Sequence, residues 1–292
     1  MTLQNILKLV LLAALWGSSF VFMRIISPTL GTIVTAGFRM LIGGGVIVAY
    51  LLVRSARLNL RRDLPHYFWM GVLNGVIPFS LYAYSALIIP ASYSAVINTT
   101  TPMFGAVLAA LVLKEKLTPR KALGILVGVG GVTLVAQVGS QSVQGEFLWG
   151  VFASLGAAFC YAVAGIYMKK YGSRTDPIAI AGCGQFLAGL LMLPLIPFFP
   201  PKAELTATVV FNLLGLSLLG GTLAFIVFYK LLAEIGPSKT LSVAFIIPVF
   251  GMIWSALFLG EHITPTMVLG AVIVILGTYF VVSGRKSKTR II

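Results

Sequence analysis

Acidic residues are scarce in this chain. Seven Asp and Glu stand among 292 residues against 21 Lys and Arg, and charge of either sign makes up only 10% of the whole. A soluble domain of that length needs a polar coat that 59% hydrophobic residues cannot supply, so a water-soluble globular protein is excluded. Two cysteines and two histidines are too few for a disulfide scaffold or a zinc motif, and Cys160 and Cys183 have no metal-ligand spacing to His66 or His262. Strand-like alternation of polar and apolar residues is absent, which excludes an outer-membrane barrel. No glycine-rich loop ends in Gly-Lys-Ser/Thr, and Gly17-Ser18-Ser19 has no His and Asp to make a nucleophile, so neither nucleotide binding nor hydrolysis is indicated.

What the chain does have is apolar runs long enough to cross a bilayer, which takes about 20 residues of helix. Ten are counted, at about 6–26, 32–53, 67–89, 91–113, 121–138, 147–168, 177–199, 207–229, 239–259 and 265–283. Turn chemistry marks several of the short links: Ser27-Pro28, Pro90, Gly139-Ser140, Pro200-Pro201 and Gly236-Pro237. The first run is too long for a signal peptide, and Arg24 stands where cleavage would fall, so it is read as a span. With the N-terminus in the cytoplasm, 18 Lys and Arg fall on the inner side, Lys202 alone falls outside, and Arg24 and Arg39 lie within spans. The net charge of +14 is then an inside-positive bias and calls for no nucleic-acid partner. Both termini are expected in the cytoplasm, and the chain is expected in the cell inner membrane.

The sequence also repeats itself. Pro102, Phe104 and Gly105 return as Pro248, Phe250 and Gly251, and Glu115, Thr118 and Pro119 return as Glu261, Thr264 and Pro265, each 146 residues later. Leu123-Gly124 and Gly131 return in the same way as Leu269-Gly270 and Gly277. Five spans per half is an odd number, so the halves enter the membrane from opposite sides and form inverted repeats around a shared site. The expected units are 1–138, 147–284 and a basic cytoplasmic tail, 285–292.

The ordered motifs of the first half are Trp16-Gly17-Ser18-Ser19-Phe20, Gly37-Phe38-Arg39, Tyr82 to Leu87, Pro102-Met103-Phe104 and Lys114 to Thr118. The second half carries Tyr161 to Lys169, Phe228-Tyr229-Lys230, Gly236-Pro237-Ser238, Pro248-Val249-Phe250 and Gly260-Glu261. Over nearly its whole length the chain resembles the EamA-type, ten-helix members of the drug/metabolite transporter superfamily. That resemblance implies secondary transport, mostly export, of small metabolites such as amino acids, with no ATPase.

Within the spans, Arg39 is the sharpest polar signal. A guanidinium there costs at least ~2.5 kcal/mol unless it is solvated or paired, and no Asp or Glu lies in the middle of any span. It either ties helices together or meets an anionic group of the substrate. Trp16, Ser18, Ser19, Tyr82, Tyr84, Ser85, Asn98, Thr101, Tyr161, Tyr229 and Ser242, with Thr99, Thr100 and Tyr167, supply the polar-tipped rings and small hydroxyls of a cavity that takes an apolar body with a polar head. Tyr93, at a span end, fits an interfacial belt, and Arg24 is expected to snorkel. The run Asn98 to Pro102 should break its helix, Pro248 should bend the symmetry-related one, and the two prolines are candidate hinges. Repeated Glu115 and Glu261 precede Thr-Pro helix starts, with Thr118 or Thr264 as N-cap, and local helix-end electrostatics accounts for them. Paired glycines at 124 and 128, 130 and 131, and 43 to 45 are read as close helix contacts.

The expectation is thus an all-α integral membrane protein of ten transmembrane helices, two inverted five-helix repeats around a central cavity, exporting a small metabolite with amino acids the leading class. Its expected partners are the substrate and the lipid bilayer, with no cofactor and no enzymatic activity, and a monomer suffices. The alternatives are an importer of a vitamin or nucleotide-like metabolite, and a cationic-drug/proton antiporter. The latter would need a counter-ion for its cargo, and the first span contains no acid.

Overall fold

The computed structural model describes residues 1–54, 58–138, 145–172 and 175–283. The basic tail 285–292, Arg57, Arg174 and the Gly139-Ser140 turn lie outside the described residues. Among those residues every regular element is helical, and eight helices are long and apolar enough to cross a membrane.

Helix α1, Leu3–Val53, is capped by the Thr2 side chain and runs 51 residues with one interruption, at Gly31 (φ 73°, ψ 173°). The turn was expected at Ser27-Pro28, yet Pro28 lies inside the helix and the chain reverses three residues later. Proline keeps helical φ, whereas the extended, positive-φ conformation at the reversal suits glycine alone. Helix α2 is Leu60–Ile88, opened by Asn59, which accepts from the N–H of Arg62, and widened to a π-turn at Val72–Val76. Helix α3, Ala91–Val112, is interrupted at Thr99 and Thr100. Helices α4 (Pro119–Val138), α5 (Gly145–Tyr171) and α6 (Pro177–Phe198) follow, the last ending in a 3₁₀ stretch. Helix α7, Ala207–Ile235, carries a second π-turn at Leu216–Leu223 and stops at Gly236, which has φ 76°. Segment α8, 237–259, combines Pro237–Thr240, a 3₁₀ stretch Leu241–Phe245 and the short apolar helix Ile247–Leu259. Helix α9 is Pro265–Val282.

The Thr-Pro starts form as their spacing requires. Thr118 Oγ1 accepts from the N–H of Lys121 at 3.3 Å and Thr264 Oγ1 from that of Met267 at 3.2 Å. The break in α3 is also as expected, and its freed carbonyls are covered locally. Thr99, Thr100 and Thr101 turn their hydroxyls back onto the carbonyls of Val96, Ile97 and Asn98 at 2.5, 2.7 and 2.8 Å. Without water to solvate them, those carbonyls need such partners.

Glycines set the closest helix contacts. A Cβ at Gly124 would lie 2.6 Å from the Gly277 carbonyl oxygen, and one at Gly277 would lie 2.6 Å from that of Gly124. Gly131 and Gly270 meet in the same way, at 3.0 and 3.2 Å. Helices α4 and α9 therefore pack backbone to backbone and antiparallel. The second half of α1 packs on α6 similarly, Gly44 against the backbone of Phe186 and Gly189 against that of Leu41. Of the glycines read as contacts, Gly130 has nothing within 4 Å and Gly45 makes only ordinary contact.

Candidate functional site

A cavity of about 550 Å³ lies between α1, α2, α3, α5, α7 and α8, with Val282 of α9 at its border. Its wall is largely aromatic. Trp16 packs against Phe225 and Phe228 at ring separations of 5.9 and 5.4 Å, and Tyr161 against Phe79 and Tyr82 at 6.1 and 6.0 Å. Phe20 closes edge-on upon Tyr82 at 5.4 Å. Interleaved polar groups are few. The Tyr82 hydroxyl donates to Asn98 Oδ1 at 2.7 Å and joins α2 to the broken turn of α3, where Thr101 and Pro102 also border the space.

Arg39 contributes to this wall although it is only 1% exposed. Its Cζ lies 3.4 Å from the centroid of Phe79, and one terminal nitrogen lies 3.8 Å from the sulfur of Met40. Its Nε has no hydrogen-bond partner. No carboxylate of the described residues pairs with it. Sulfur and a π-face only partly replace lost hydration, so the guanidinium keeps unused donor capacity beside the cavity.

The structure brings Trp16, Ser19, Arg39, Tyr82, Asn98, Thr101, Pro102, Tyr161 and Tyr229 together around one cavity. Ser18, Tyr84, Ser85, Ser242 and Pro248 do not border it, Ser18 and Tyr84 for reasons of helical phase. Each residue turns a helix by about 100°, so Ser19 shares the face of Trp16 and Ser18 does not, and Tyr84 points about 200° away from Tyr82. Ser18 returns its hydroxyl to the Leu15 carbonyl, and Tyr84 is 42% exposed on the outer surface. Ser85 is fully buried in a cluster with Ser94 and Ser154, hydroxyl to hydroxyl at 2.8 to 3.1 Å. Ser242 bonds the Lys239 carbonyl at 2.6 Å, and Pro248 is buried in the first turn of Ile247–Leu259. Thr99 and Thr100 are spent on backbone carbonyls, while the Tyr167 hydroxyl meets His66 Nδ1 at 2.9 Å. Tyr93 is buried edge-on against Phe147 rather than set in a belt, and Arg24 donates to the Ala86 carbonyl at 2.5 Å, near the end of α2.

Two polar residues escaped the sequence reading. Asn74 borders the cavity from the π-turn of α2, where the widened backbone rotates it inward. Gln185, on α6, is 4% exposed with Oε1 unpartnered, beside a small recess shared with Asn74 and Tyr229. A lone amide inside each apolar run was the available signal.

The repeated glutamates also do more than attend their own helix starts. Glu261 receives the N–H groups of Ala91 and Ser92 at 2.7 and 3.1 Å, so it caps α3, in the other half of the chain. Glu115 binds Lys169 and lies 4.0 Å from Lys121. The Lys169 ammonium holds its carboxyl below the usual carboxylate range. Both cysteines are free thiols.

The family model described as the EamA-like transporter family matches this chain twice, over residues 4–137 and 148–283. An uncharacterized transporter of Bacillus subtilis (strain 168), YvbV, is 28% identical over 275 residues, covering 93% of this chain and 89% of its own. A protein of Escherichia coli (strain K12) named as a probable amino-acid metabolite efflux pump is 23% identical over 293 residues, covering 94% and 93%. A solved crystal structure superposes with a TM-score of 0.67 at 15% identity over 95% of this chain and 98% of that one, a likeness of fold alone.

Proposed function

The chain belongs to the EamA-like transporter family, and on that premise we propose that it is a secondary transporter exporting small metabolites, amino acids foremost, by alternating access across the cytoplasmic membrane. The observation that carries the substrate class is Arg39, a buried guanidinium with an unpartnered Nε in the wall of an aromatic cavity of about 550 Å³. A carboxylate meets that charge, while Trp16, Tyr161 and Phe228 enclose an apolar body. Ser19, Tyr82, Asn98, Thr101 and Tyr229 line the remainder. No acid borders the cavity among the described residues, so a cationic drug would find no counter-ion. The name of the Escherichia coli relative points to the same class.

The reading includes ten spans in two inverted repeats, 1–138 and 147–284, with both termini cytoplasmic, in a monomer. At ~1.5 Å per residue, α1 would measure ~75 Å unbroken, more than twice the ~30 Å hydrocarbon core, and the Gly31 reversal makes two crossings of it. Segment 237–259 supplies the remaining crossing. Features recurring at the repeat offset support the inversion. The π-turn Val72–Val76 maps into Leu216–Leu223, the break at Thr99 and Thr100 onto Phe245 and Ile246, and the pair Gly124 and Gly277 onto Gly270 and Gly131. Pro102 and Pro248 stand just past the two breaks and serve as hinges.

Purified protein in liposomes loaded in turn with labelled amino acids, nucleosides and vitamins tests the proposal. Release of a carboxylated solute, faster than of its amidated analogue, is the expected result. Movement of cations or nucleosides with no carboxylated solute moving would overturn it.

A further inference from the structure

Glu261 stands in the link between α8 and α9, yet its carboxylate is bound entirely to the start of α3. Oε1 accepts the Ala91 N–H at 2.7 Å, and Oε2 accepts the Ser92 N–H at 3.1 Å and the Ser92 hydroxyl at 2.5 Å. A helix of the first half thereby has two of its four orphan N–H groups satisfied, and its positive end neutralised, by an acid of the second half. Directly below, Ser94 of α3 meets Ser85 of α2 and Ser154 of α5, a seam of small hydroxyls through which three helices close. In the proposed topology this is the outer end of the molecule.

The opposite end differs. Glu115 is the residue that repeats Glu261, and its backbone sits in the same setting. Its N–H donates to the Ala109 carbonyl at 3.1 Å and that of Glu261 to Ser255 at 3.2 Å, both donors and both acceptors 146 apart. Among the described residues its carboxylate, however, caps no helix start and is held by Lys169 of the second half and, at 4.0 Å, by Lys121 of its own. Cavity-wall residues Gly165, Met168, Leu241 and Val282 lie toward that end. Two equivalent acids are thus in unequal states, one capping a helix start of the other half and the other holding only lysine ammonium groups, and the cavity extends toward the end where the acid caps no helix start.

From this asymmetry we infer that Glu261 is the latch that holds the outer end of the cavity shut, and that the transport cycle requires its carboxylate to leave Ala91 and Ser92. The inference rests on the topology and alternating access proposed above. A polar latch suits a reversible closure, because charge-assisted hydrogen bonds exchange for water as the helices part, whereas interlocked side chains would have to repack.

The test is conformational and needs no substrate. In the full-length protein with Cys160 and Cys183 replaced by alanine, reconstituted in nanodiscs, two single-cysteine reporters are labelled with a maleimide. Ser154→Cys reports the outer seam, where the serine is fully buried, and Gly165→Cys reports the inner part of the cavity wall, where an added Cβ meets nothing within 4 Å. Glu261→Gln should raise the rate at 154 about tenfold and lower it several-fold at 165. Ala91→Pro is the second variant. It deletes one latching N–H at a helix start that accepts proline, and position 237, which repeats 91, is already Pro237. The same exchange of rates is expected from it. A cap with only a structural role would loosen the outer seam without protecting residue 165, so rates that stay at the parental level, or that rise at both positions, overturn the latch. Rates that exchange while no solute crosses liposomes would leave the latch standing and overturn the transport reading.

Discussion

Replacing Arg39 by glutamine separates binding from architecture, because the two roles predict opposite results for a well-defined quantity. The side chain is 1% exposed, its charge is stacked on Phe79 at 3.4 Å, and its Nε is unpartnered. A buried guanidinium costs at least ~2.5 kcal/mol in the membrane interior, and a desolvated cation–π contact returns about 2. These nearly cancel. Arg39→Gln should therefore fold and insert with a melting temperature within about 2 °C of the parent, at 2–4 °C per kcal/mol for a chain of a few hundred residues. Binding should respond differently. A charge-assisted hydrogen bond to a carboxylate is worth ~1.5–3 kcal/mol, so affinity should fall roughly 10- to 150-fold. Calorimetry of the detergent-solubilised variant with an amino acid and with its carboxyl-amidated analogue measures both quantities. The parent should prefer the free carboxylate and the variant should show no preference. Arg39→Lys, which keeps charge and loses the planar fork, should fall between them. A folded Arg39→Gln that discriminates as the parent does would refute the reasoning, as would a variant that melts more than 10 °C early.

Trp16→Ala should reduce transport severely and Trp16→Phe mildly, since the ring forms a wall against Phe225 and Phe228, as initial rates in liposomes will show. Pro102→Ala with Pro248→Ala should leave a folded, inserted protein that transports more slowly, and a parental rate would remove the hinge role. Gly124→Leu should lower stability by ~1–3 kcal/mol in thermal melts, because its Cβ would meet the Gly277 carbonyl at 2.6 Å, while Gly130→Ala, with open space around it, should be neutral. Glu115 has its carboxyl pKa depressed by Lys169, so that pair stabilises the fold above about pH 4.3 and the benefit disappears as pH falls through the lower folded value. With side chains 37% and 61% exposed the pair is worth at most ~1 kcal/mol, so Lys169→Met should lower the melting temperature slightly and equally between pH 6 and 8, the difference closing below about pH 4.

Much of this architecture was legible because bilayers leave few choices. Apolar length gave the eight membrane-long helices, Thr-Pro gave helix starts that the structure caps at 3.3 and 3.2 Å, and the Asn98 to Pro102 run gave the α3 break. Positions within crossings were less legible, because an all-apolar helix carries no amphipathic stripe from which to read its phase. Tyr82 and Tyr84 looked equivalent in sequence, and only packing decides that one faces the cavity and the other the outside. Asn74 was hidden for a related reason. A π-turn shifts phase locally, and nothing in Val72–Val76 announces one. The reach of Glu261 to Ala91 spans most of the chain, and no local account of a helix start could have found it.

The backbone contact between α4 and α9 also places a demand on biosynthesis. Helix Pro119–Val138 leaves the ribosome 146 residues ahead of its partner, and at ~5–20 residues per second that partner arrives about 7–30 s later. Through that interval the seats at Gly124 and Gly131 face lipid or the insertion machinery, since the surfaces that fill them, Gly277 and Gly270, are made later. A nascent chain stalled before Pro265 would hold its earlier apolar helices in the membrane with that groove unfilled, and quality control could read the groove as the mark of an unfinished molecule.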